Sequence, residues 1–169
     1  MPRSLSAVAT HLQGDARRAV TLLEESQSQF REVGDRRNAA VAALNLADAL
    51  RDSVALDRAI VQYRDALVEF ADVDDREGVA QVFLGLGGVM ARVGQFEGAA
   101  KLLGAASVLK SEELGAREKF REVTNLKAAI SAIRSAFGEE AFTAAWEAGR
   151  ALPLEAAVQV ALSSVPPES

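Results

Sequence analysis

Residues able to carry bond-making chemistry are scarce in this chain. His11 is the single histidine and there is no cysteine, so neither a Ser/His/Asp nor a Cys/His arrangement can be assembled within one copy. The same count excludes a multi-histidine or thiolate metal site. The carboxylate pairs Glu24-Glu25, Glu112-Glu113 and Glu139-Glu140 are adjacent in sequence. Neighbours on a helix splay apart, so none of them makes an acid/base dyad. Gly85-Leu86-Gly87-Gly88 has the look of a phosphate loop, yet no strand pattern precedes it and no Lys-Ser/Thr follows. A helical apolar stripe runs through it instead. Gly87 then reads as a packing glycine and the others as tolerated at up to ~1 kcal/mol each; the alternative is that Gly85 and Gly88 leave room for a ligand. The expectation is a chain that is not an enzyme, with no catalytic residue, no metal and no cofactor.

The elements that would position any binding residue are helices. The four prolines are Pro2, Pro153, Pro166 and Pro167, which leaves residues 3 to 152 free of proline, where ordinary usage of about 5% would place roughly seven. Alanine occurs 33 times and aromatic residues make up 5%, against the β-branched and aromatic strands and frequent turns of a sandwich or barrel. An uncharged apolar run of membrane-spanning length is lacking. Met1-Pro2-Arg3-Ser4-Leu5-Ser6 lacks the apolar run that a secretory signal is expected to carry, and the zero cysteine count fits the expectation of a cytoplasmic setting. Nineteen basic against 24 acidic residues give a net charge of -5, which disfavours direct nucleic-acid binding, since that needs a concentrated basic face. The pairs Arg17-Arg18 and Arg36-Arg37 read as solvated charges at helix starts.

Displacing the sequence on itself by 40 residues aligns Ala19, Ala59 and Ala99; Leu23, Tyr63 and Leu103; Phe30 and Phe70; Val33 and Val73; and Asp35 with Asp75. Within a period the apolar residues recur at helical spacing, as in Ala43, Leu46, Ala47 and Leu50, then Ala59, Tyr63, Ala66 and Phe70. Each helix therefore buries one stripe. Small or polar breaks at Gly34-Asp35, Asp52-Ser53, residues 72–75, Gly94-Gln95 and Gly115 separate the stripes. Asp15, Asp35 and Asp75 stand where an N-cap carboxylate would receive the free N–H groups of the next helix. The predicted fold is all-α, a ladder of antiparallel helix pairs.

Phe83-x2-Leu86-Gly87-x2-Met90 followed by Ala99-x3-Leu103-x2-Ala106 resembles the tetratricopeptide repeat, in which small residues let helix A approach its own helix B. Forty residues rather than 34 would add up to roughly 9 Å of helix per repeat. The resemblance implies a right-handed superhelix, a solenoid of about 3.5 units over residues 1–136. Its first A helix is degenerate, with Arg3, Ser6, Ala7 and Thr10, and its fourth carries Val123, Leu126 and Ile130. Capping helices are expected over 137–162, where Phe137, Phe142 and Trp146 seal the last repeat and Pro153 opens a final short helix, and a frayed tail over 163–169.

The chain is also similar to the C-terminal repeat region of LuxR- and SARP-type bacterial regulators that carry an ATPase. The text that carries this runs through Leu22-Leu23-Glu24-Glu25-Ser26, Phe30-Arg31-Glu32-Val33-Gly34-Asp35-Arg36-Arg37, Ala99-Ala100-Lys101-Leu102-Leu103-Gly104-Ala105-Ala106, Phe137-Gly138-Glu139-Glu140-Ala141-Phe142 and Gly149-Arg150-Ala151-Leu152. What that implies is a sensor or relay that binds a protein or peptide, or another domain of a longer parent chain. The repeat phase assigns the concave groove to Asn45, Asp48 and Arg51, to Gln81, Gly85, Gly88 and Arg92, and to Arg121 and Asn125. Gln81 and Gly85 stand where chaperone-binding members have basic residues, against a carboxylate clamp. An inducer-binding domain and a self-association module are the alternatives.

Overall fold

The computed structural model describes the backbone of residues 15–113 and 119–163, with the side chains of Ala16 and of residues 110–125 outside that description. The degenerate first A helix with His11, the break at Gly115 and the tail beyond Ser163 thus lie outside the described residues. Among the described residues every regular element is a helix: α1 (Ala16–Glu32), α2 (Arg36–Asp52), α3 (Leu56–Asp72), α4 (Arg76–Arg92), α5 (Phe96–Glu113), α6 (Lys119–Phe137), α7 (Glu139–Ala151) and α8 (Leu154–Leu162).

The first four helices are each 17 residues long, and the first five begin at residues 16, 36, 56, 76 and 96. The turns enforce this spacing. Two residues beyond the ends of α1 to α4 the backbone turns left-handed, at Gly34 (φ 74°), Val54 (64°), Asp74 (54°) and Gly94 (85°). The N–H of that residue donates to the carbonyl three back, and the next N–H to the carbonyl five back. The pairs are Gly34 to Arg31 and Asp35 to Phe30; Val54 to Arg51 and Ala55 to Leu50; Asp74 to Ala71 and Asp75 to Phe70; Gly94 to Ala91 and Gln95 to Met90. This Schellman closure satisfies carbonyls that a helix end leaves without an intrahelical donor. The second donor then opens the next helix. Asp35 accepts from the Asn38 N–H and Asp75 from the Gly78 N–H, just as Asp15 accepts from Arg18 ahead of α1; the three capping carboxylates are those anticipated from the sequence. Ala55 opens α3 with no such bond.

Two compact units divide between Gly78 and Val79, in the first turn of α4. In the first unit α2 packs against both α1 and α3. The side chains enclosed are those of the 40-residue alignment, with Ala19, Leu23, Leu46, Leu50, Ala59, Tyr63, Ala66 and Phe70 buried. Polar pairs tie α1 directly to α3: Glu24 to Arg58, Gln27 to Gln62 and Arg31 to Glu69. Partner numbers ascend together, so α1 and α3 run parallel and α2 returns between them. Arg36 and Arg37, at the start of α2, pair with Asp72 at the end of α3 and with Asp75 in the turn after it.

In the second unit Gly87 lets α4 meet α5, since an added Cβ would lie 2.9 Å from Leu103 Cδ2. Helix α5 packs extensively against α7 and touches α6 and α8 as well. Where α5 crosses α7 the main chains touch: a Cβ on Gly104 would run into the Trp146 carbonyl, and one on Gly149 into the Lys101 carbonyl. Phe142 and Ala145 are buried there, and the Phe142 and Trp146 rings lie 5.7 Å apart. Pro153 stands at the N-cap of α8, whose Ala157 and Ala161 are buried.

Candidate functional site

Of the residues that the sequence places on an outward helix side, the structure brings Asp48 and Arg51 into one polar cluster. They are three apart on α2, and Arg51 Nη1 lies 3.2 Å from Asp48 Oδ1. Tyr63 joins them from α3. Its hydroxyl donates to Asp48 Oδ1 at 2.5 Å and accepts from Arg51 Nη1 at 3.2 Å, while Arg51 Nε donates to Asp52 Oδ1 at 3.0 Å. The body of Tyr63 is fully buried, so the residue fills the core at one end and finishes a surface network at the other.

Sequence reasoning takes Tyr63 for a packing residue, equivalent to Leu23 and Leu103, and misses its hydroxyl. The available signal is its type: a buried phenol needs a partner, and the preceding helix offers Asp48. Burial first, and then the neighbouring Asp48 charge, push the Tyr63 hydroxyl well above its ordinary range. Burial alone would lower the Arg51 guanidinium; the Tyr63 oxygen and the carboxylates of Asp48 and Asp52 outweigh it and hold the group above its ordinary value. Arg51 is therefore permanently charged and internally neutralised. It is a poor hand for a partner's carboxylate, because any incoming anion must displace two resident ones. Asn45, one turn earlier on α2, is half-buried beside this cluster's helix side.

The other unit holds the α4 candidates. Gln81 and Gly88 are half-buried, Gly85 is buried and Arg92 is exposed. Gly88 is helical, and a Cβ added to it would meet nothing within 4 Å. That contrasts with Gly87 next to it, which Leu103 requires to be small. Arg121 and Asn125 lie on α6 among the residues whose side chains are not described.

Among the described residues no group of three or more His, Cys, Asp or Glu is placed to hold a metal ion, and no helix is long and apolar enough to cross a membrane. What the polar cluster offers is hydrogen bonding and fixed charge. No family model matches the chain, and no curated protein or solved structure matches it significantly.

Proposed function

We propose that this chain is a non-enzymatic, tetratricopeptide-like solenoid that binds a protein or peptide in the cytoplasm, as the sensor or relay portion of a bacterial regulator. The observation that carries the reading is the recurrence of one turn geometry every twenty residues, at 34, 54, 74 and 94. Identical closures give helices of equal length, and a regular ladder of equal helices is what a repeat protein uses to present binding side chains. Asn45 beside the Asp48–Arg51 pair is the candidate hydrogen-bonding point on α2; on α4 Gln81 and Arg92 are the candidates, with open space over Gly88. Immobilised full-length chain should retain a defined protein from a bacterial lysate, and that protein, once purified, should bind it in isolation. Failure to find any protein that rebinds when purified would overturn the reading.

A second reading, a domain for a small-molecule inducer, is favoured by the open space over Gly88. A stabilising metabolite at 100 times its dissociation constant should add about 2.7 kcal/mol. A thermal-shift screen that finds none sinks this alternative.

A further inference from the structure

We draw no further inference here: the strongest candidate, the exposed face of α3 that carries Val61 and Val68, is unpartnered, and nothing in the structure shows what covers it.

Discussion

Tyr63 and Asp48 lie on successive helices, 15 residues apart in sequence, and share a 2.5 Å hydrogen bond that fastens α3 to the outward side of α2. Tyr63→Phe keeps the buried ring and removes only that bond and the one from Arg51. A hydrogen bond to a charged group contributes about 1.5–3 kcal/mol, and urea unfolding should show a loss near the lower end because Asp48 retains Arg51.

Because this is the only tyrosine in the chain, its ionisation can be followed alone by ultraviolet absorbance. The hydroxyl is raised in the folded state, so the fold binds more protons than the unfolded chain above the free phenol value of about 10. Stability should fall as pH rises from there. Tyrosinate absorbance is expected to rise together with loss of helical circular dichroism; ionisation with full helicity retained would contradict the buried placement.

Val54 occupies the left-handed position that glycine fills at 34 and 94, with φ of 64° and an exposed side chain. A β-branched residue there costs roughly 1–2 kcal/mol, partly offset by the greater freedom glycine has when unfolded. Val54→Gly should therefore stabilise by about 0.5–1 kcal/mol in urea melts. Asp74→Gly should gain less, since aspartate tolerates this region better.

Two glycine substitutions should have opposite signs. Gly88→Ala meets nothing within 4 Å and should stabilise α4 by up to about 1 kcal/mol through helix propensity. Gly149→Ala drives a methyl into the Lys101 carbonyl of α5, where main chain and not a flexible side chain must yield. A loss of about 1–3 kcal/mol is expected, measured by thermal or urea unfolding of the two variants side by side.

Asp65 is half-buried. Its carboxyl is raised, by burial first and by Glu69 next, with Arg31 and Arg64 opposing. An acid raised on folding makes the fold bind the extra proton, so its penalty is present at neutral pH and disappears as pH falls through its folded value. Asp65→Asn should raise the melting temperature at pH 7 and leave it unchanged well below the ordinary aspartate range. The same rise at both pH values would show that charge is not the cause.

Helix positions and caps were legible because they rest on local chemistry: Asp35 and Asp75 cap as aspartates do, and Ala59, Ala99 and Gly87 are small where helices meet. The turn at Val54 was legible only as a break. Nothing in Ser53-Val54-Ala55 announces a left-handed residue, and the conformation follows from closing Leu50 and Arg51 carbonyls before α3 can start. The Gly104–Gly149 crossing was missed because it joins helices distant in sequence, although two glycines inside helices each costing about 1 kcal/mol were a visible sign of close approach. On the outward side, residue type alone suggested an available Arg51; geometry shows it engaged by Asp48, Asp52 and Tyr63.

The binding claim is tested most directly by titrating the captured, purified partner into the full chain and into its Asn45→Ala plus Arg92→Ala variant by isothermal calorimetry. Asn45 is half-buried and Arg92 exposed, and the melting temperatures of the two chains are compared alongside so that a loss of stability is separated from a loss of binding. Affinity at least tenfold weaker is expected in the double variant; equal affinity in an equally stable variant would contradict binding through these side chains.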